Sequence, residues 1–284
     1  MDLSSVTELA PLAEVARDVV RAAELAEARI FAAGAFARDL WLWHAYGIET
    51  GRATADLDVA VQCESWEHFD RISELLLTEA FRRTDEKVRH RFRHRGGTEI
   101  DLVPFGELER ADRTIAWPPE EDRAMRLLGF REALDSAVIF QLPEGVVVPV
   151  ISLESLAALK LFAWQERRIL APRKDAADLD VILRNYAEVG NRERMFEEIP
   201  GLAAREDFDL ERAGAELLGR DLARSVGREL IAALRLLLEQ ESNPEGDLRL
   251  AREMSGGDEE AARLLLVALL RGLASREGGS VGMS

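Results

Sequence analysis

The sequence has a single cysteine, Cys63. A lone thiol excludes an internal disulfide and predicts a reducing, cytoplasmic setting. Cys63 follows an apolar run and reads as a packing residue. Long apolar runs are missing as well. None reaches the ~20 residues needed to cross a bilayer, so no membrane role is expected. Met1 to Leu12 carries acids and no basic-then-apolar leader, which predicts no export. Positive charge is in deficit: 37 Lys and Arg stand against 53 Asp and Glu, a net charge of −16. That balance argues against broad, charge-driven binding to polyanions and leaves room for a local basic patch. No internal repeat is visible.

What is present suffices for a core. The chain has 284 residues, 47% hydrophobic and 32% charged, enough for one large or two ordinary domains. The stretch everything else is arranged around is Thr54-Ala-Asp-Leu-Asp-Val-Ala-Val61. Leu57, Val59 and Val61 give it the alternation of a strand. Residues i and i+2 share a strand face, so Asp56 and Asp58 are expected to project together. Two neighbouring carboxylates in a half-buried place repel each other and call for a cation. Mg²⁺, which takes oxygen ligands, meets that need.

An isolated D-x-D arises often by chance, as two solvated acids on an edge strand. Its surroundings decide the matter. Upstream, Arg29–Ala33 reads as a short buried strand, followed by Gly34-Ala35 and a helix over Phe36–Tyr46. Gly34 lets a ligand approach the backbone, and the N–H groups that open the helix suit a phosphate. Arg38 either adds charge there or pairs with Asp39. Downstream, Glu99–Phe105 is an apolar strand with a central acid, Asp101. Arg82 to Arg95 is densely cationic. It reads equally as a solvated strand face or as a contact for phosphates of a nucleotide or RNA.

The remaining segments follow from periodicity and breakers. Ser5–Ala28 and Trp66–Phe81 read as helices. Lys87–Arg95 and Thr98–Phe105 read as strands joined at Gly96-Gly97. Residues 107–130 read as a loop punctuated by Trp117-Pro-Pro119. Ala137–Leu142 and Val146–Val150 form a second hairpin. Helices are expected over Ser152–Leu170, which carries Lys160 and Arg167, and over Lys174–Tyr186, with Pro172 breaking between them. More follow near Arg192–Glu198, Leu210–Val226, Glu229–Glu241 and Asp258–Ala274. The expected organisation is an α/β domain over 1–150, a helical domain over 151–275 and a disordered tail over 276–284.

Gly34 with its helix, Asp56-Leu-Asp58 and Asp101 together resemble the DNA polymerase β-type nucleotidyltransferase superfamily. Gly34-Ala-Phe-Ala-Arg-Asp39 is similar to the opening motif of tRNA CCA-adding enzymes. Ala158–Arg167 followed by Arg173–Leu179 resembles the AbiEii/AbiGii abortive-infection toxin branch. The resemblance covers Ile30 to Tyr186. It implies an α+β fold, a small mixed sheet flanked by helices and followed by an all-helical domain. It implies a metal-dependent transfer of a nucleoside monophosphate from an NTP to an acceptor hydroxyl, with a tRNA 3′ end as one acceptor, in a toxin–antitoxin or phage-defence setting with an antitoxin partner. Asp56, Asp58 and Asp101 would bind two Mg²⁺ ions, with Mn²⁺ as an alternative. Gly34, Ala35 and Arg38 would lie at the nucleotide. Lys160 and Arg167 would neutralise the triphosphate, with Lys174 a weaker candidate. Asp178 would orient Lys160 or touch the nucleotide, unless it is only an acid near the start of its helix. Two departures stand out. Ala35 lacks the hydroxyl of the usual turn residue, and the interval from Gly34 to Asp56 implies an extra loop around 46–53. The alternatives are nucleotidyl transfer to a small molecule, as in aminoglycoside adenylyltransferases, and a non-catalytic nucleotide-binding module. Three intact acids argue against the last.

Overall fold

The structure is a computed structural model. It describes residues 1–275 apart from 52–53, 55, 86–87, 119–123, 171–172, 255 and the Glu79 side chain. The expected tail over 276–284, the breaker Pro172 and Lys87 lie outside the described residues. The chain forms two compact units, Met1–Ser152 and Leu153–Ser284.

The first unit runs α1 (Ala10–Leu25), β1 (Ile30–Ala33), α2 (Gly34–Asp39), β2 (Leu57–Cys63), α3 (Trp66–Glu79), β3 (Phe81–Arg83), β4 (Arg91–His94), β5 (Glu99–Gly106), β6 (Thr114–Ala116), β7 (Ala124–Arg126), α4 (Phe130–Asp135), β8 (Val138–Leu142) and β9 (Val146–Val150). Seven strands form one mixed sheet in the order β3-β4-β5-β2-β1-β9-β8. At its centre β2 pairs parallel with β5 and antiparallel with β1. These central strands are the apolar ones, as burial on both faces requires. Phe31 of β1, Phe105 of β5 and Phe130 of α4 meet with centroids 5.7 to 6.1 Å apart, in the tilted and edge-on geometries that aromatic rings favour. Helix α1 presents Val15, Val19 and Ala22 to the core, whereas Leu25, at the end of the expected stripe, is exposed.

Several boundaries differ from the sequence reading. The helix after β1 starts at Gly34 and passes into a π-helical segment over Leu40–Ala45. Helix α3 stops at Glu79, and Phe81 instead opens β3, where its ring packs edge-on against His94. Residues 107–130, expected as loop, contain the β6–β7 hairpin. That hairpin is only three residues deep on each side, too short to show alternation.

The second unit is helical: α5 (Leu153–Arg167), α6 (Lys174–Asn185), α7 (Arg192–Glu198), α8 (Leu210–Ser225), α9 (Arg228–Ser242), α10 (Arg249–Met254) and α11 (Glu259–Ala274). Helix α10 was not foreseen, because six residues carry too little periodicity to register. Asp209 and Asp258 cap α8 and α11 by accepting from the N–H groups of Arg212 and Ala261 at 2.8 and 2.9 Å. Helices α8 and α11 cross where both carry glycine. A Cβ on Gly272 would stand 2.1 Å from the Glu216 carbonyl oxygen, and one on Gly219 would stand 2.2 Å from that of Leu269. Among the described residues, no helix is long and apolar enough to cross a membrane.

Candidate active site

In the first unit the acids sit where β1, β2 and β5 run side by side. Strand register places Asp58 directly beside Asp101 on one side and Ala33 on the other. Gly34 follows at once with φ +64°, and a Cβ there would lie 1.7 Å from Asp58 Oδ2. Glycine is therefore required twice over, by the left-handed backbone and by the carboxylate that fills its missing side chain. Asp58 is half-buried in consequence.

Asp56 departs from the sequence expectation. It precedes β2 and is exposed, so strand alternation does not govern its direction. Thr54 fixes the approach instead. Its N–H donates to Asp39 Oδ2 at 3.2 Å, and its Oγ1 accepts from the Asp56 N–H at 3.3 Å. Asp39 in turn accepts from Arg38 Nε and Nη2 at 2.8 and 2.6 Å, and the Arg38 side chain is 1% exposed. The structure shows Arg38 paired with Asp39.

Asp101 has a cation of its own. Arg91 stands opposite it across the β4–β5 ladder. Arg91 donates from Nε to Oδ1 at 2.7 Å and from Nη2 to Oδ2 at 2.6 Å. These hydrogen bonds push the guanidinium's pKa above its ordinary value against the opposing effect of burial, and the charges of Asp101, Glu99 and Asp56 add to the rise. Asp56 is thus within electrostatic reach of the same cation. Among the described residues, no three His, Cys, Asp or Glu side chains are arranged as a ready metal site. The donor chemistry nevertheless fits a hard divalent ion: Asp58 and Asp101 are half-buried on adjacent strands, and Asp56 is exposed just before β2.

Several other cations of the stretch, among the described residues, are occupied within the fold. Arg89 pairs with Asp70 and lies 5.7 Å over the Trp66 ring. Arg93 pairs with Glu99, Arg95 with Glu14 at 2.6 Å, and Arg83 lies 5.3 Å over Phe92. The solvated-face reading accounts for these groups. A cleft of about 540 Å³ lies nearby, lined in part by Glu8, Phe36, Asp39, Trp43, His44 and Glu49. Burial holds the His44 pKa below its usual value despite the raising charges of Glu8 and Asp39.

In the second unit, Lys160 is buried on α5 with its Nζ 2.5 Å from Asp178 Oδ2 and 3.3 Å from Asp175 Oδ1. Arg167, two turns on, grips Asp175 through Nε and Nη2 at 2.6 and 2.7 Å. Two cations thus meet two buried acids and stitch α5 to α6. Burial raises the Asp175 pKa, but the Arg167 hydrogen bonds and the Lys160 charge outweigh it and hold the carboxyl below its usual range. Asp178 accepts a hydrogen bond from Lys160. Lys174 is exposed at the first residue of α6. The sequence reading missed Asp175, although its i, i+3 spacing to Asp178 placed both acids on one helix face.

With that geometry in place, comparison with known proteins is informative. The family "Nucleotidyl transferase AbiEii toxin, Type IV TA system" matches residues 30–264. No curated protein matches. Among solved structures, the antibiotic-resistance factor ANT(2'')-Ia aligns at 17% identity over 66% of this chain and 91% of its own, with a TM-score of 0.37. An antigenic nucleotidyltransferase-like protein from Paracoccidioides brasiliensis aligns at 15% identity over 71% and 92%, with a TM-score of 0.41. The Thermotoga maritima CCA-adding enzyme complexed with tRNA aligns at 13% identity over 92% and 80%, with a TM-score of 0.25.

Proposed function

We propose, for a chain that belongs to the AbiEii nucleotidyl transferase toxin family, a metal-dependent transfer of a nucleoside monophosphate from an NTP to an acceptor hydroxyl, with pyrophosphate as the leaving group. The observation that carries this reading is the parallel register that sets Asp58 beside Asp101, with Gly34 packed on the Asp58 carboxylate. Asp56, Asp58 and Asp101 are the residues that would hold Mg²⁺. When bound, the metal would neutralise the triphosphate and lower the pKa of the acceptor hydroxyl. Asp101 would accept that hydroxyl's proton. Gly34 and Ala35, at the start of α2, would offer backbone N–H groups to a phosphate. In the second unit, Lys160 and Arg167, gathered around Asp175, are the proposed cationic residues for nucleotide binding, since positioning and charge stabilisation do most of the work in such transfers. Asp175 and Asp178 would keep Lys160 extended and fixed.

The leading acceptor is an RNA end such as that of tRNA, and a toxin of this family implies an antitoxin partner. A second reading has support from the cleft beside α2. Its acids Glu8, Asp39 and Glu49, with Trp43 among them, suit an amine-bearing small acceptor better than a polyanion. The test incubates the purified protein with Mg²⁺, each α-labelled NTP and either total RNA or a panel of hydroxyl-bearing amines such as aminosugars. Label on RNA supports the first reading. Label on the amines alone supports the second. NTP binding with no label on any acceptor would overturn both.

A further inference from the structure

We propose that Arg91 is a displaceable latch on the acidic centre: its guanidinium holds the Asp101 carboxylate in the metal-free protein, and a divalent cation gains Asp101 only as Arg91 lets go. The inference rests on the metal-binding reading of Asp101 given above. The geometry is direct. Arg91 uses Nε on one Asp101 oxygen and Nη2 on the other, at 2.7 and 2.6 Å, so both oxygens that would ligate a metal carry a fork hydrogen bond. The charge is matched too. Asp101, Glu99 and Asp56 all act on this guanidinium, so the acidic edge carries its own counter-cation.

The pair is also built to open. The Arg91 side chain is 44% exposed and that of Asp101 26%, so water can take over both groups as they part. Arg38, by contrast, is buried against Asp39 and has no such exit. The neighbouring arginines hold other acceptors: Arg93 pairs with Glu99, and Arg89 with Asp70 and the Pro118 carbonyl.

The experiment titrates Mn²⁺ into the full chain and follows the free ion by electron paramagnetic resonance. The wild type is compared with Arg91→Met, Arg91→Lys, Arg93→Met and Asp101→Asn. An ion pair this exposed is worth at most about a factor of five, so Arg91→Met is expected to bind Mn²⁺ about fivefold more tightly. Arg91→Lys keeps the charge but cannot hold both oxygens, and it is expected to tighten binding as well. Arg93→Met should bind as the wild type does, and Asp101→Asn more weakly. Should Arg91→Met fail to fold by circular dichroism, Arg91→Lys carries the test. If Arg91→Lys binds like the wild type, only net charge matters and the latch is overturned. Equal or weaker binding by both Arg91 variants, beside saturable binding by the wild type, also overturns it and leaves the metal reading intact. No saturable Mn²⁺ binding by any variant removes the metal reading itself.

Discussion

The two units each gather cations and carboxylates, and they do so under opposite physical terms. In the first unit Asp101 and Arg91 meet on the face of a sheet with water at hand. In the second unit Lys160, Asp175 and Asp178 are buried almost completely, with Arg167 closing the set from the surface. An exposed pair can exchange partners at little cost, because solvent replaces what is lost. A buried set cannot, because removing one member strands a charge in a poor dielectric. The contrast suits a division of labour in which the first unit's acids change partners and the second unit's lysine is held in one place.

The largest expected effect breaks the first side of that comparison. Asp101→Asn keeps the size of the side chain and removes its charge. It should leave NTP binding near native and cut nucleotide transfer by orders of magnitude, because the proton acceptor and a metal ligand go together. Paired NTP titration and product assay on one preparation read this out. Native transfer by Asp101→Asn would end the assignment.

Next comes the buried cluster. Lys160→Met fills much of the same space but leaves Asp178 facing Asp175 without the shared ammonium. Breaking a buried pair this way costs about 3–5 kcal/mol, so urea unfolding should shift strongly at pH 7. NTP affinity should fall as well, measured at a temperature where the variant remains folded. An unchanged affinity would make Lys160 a purely structural residue.

These two regions also differ in how far the sequence revealed them. The acidic edge was legible because its signals are local: an apolar strand around Asp58, a second around Asp101, and a glycine ahead of a helix. The strand rule does not reach Asp56, since it lies one residue outside β2, where its N–H donates to Thr54 Oγ1. Arg91 was visible only as one cation among many. Its pairing with Asp101 depends on the β4–β5 register, which no single-sequence pattern fixes. Lys160 stood out because a lone ammonium on an apolar helix needs a partner. Its partners are fifteen and eighteen residues away on another helix, and Asp175 went unnoticed beside the more conspicuous Asp178. The mixed sheet itself came only from family resemblance, because strand order is a tertiary property.

A middle-sized effect tests whether the second unit is as tightly set as its buried charges suggest. Glycine in a helix is ordinarily worse than alanine by about 1 kcal/mol. At Gly272 the added methyl would meet the Glu216 carbonyl oxygen at 2.1 Å, backbone that cannot swing aside. Gly272→Ala should therefore destabilise by about 1–3 kcal/mol, the cost of overpacking, instead of stabilising. A variant with a raised melting temperature would show that α8 and α11 can separate at this crossing.

The smallest effect belongs to the ion pair beside the latch. Arg93 and Glu99 face each other across the same β4–β5 ladder that carries Arg91 and Asp101, two residues along. Their side chains are 42% and 28% exposed, so water screens most of their attraction. Arg93 also spends side-chain entropy to hold one geometry. Arg93→Met should thus change stability by less than about 1 kcal/mol, within reach of a careful urea titration. Neither Asp56, Asp58 nor Asp101 loses a partner in this variant, so transfer should proceed at the native rate. The result matters because Arg91 and Arg93 are near-equals in exposure and differ in the acid they hold. If removing Arg93 altered transfer as strongly as removing Arg91, the effect would belong to the sheet face as a whole, and the distinction between a latch and its neighbour would collapse.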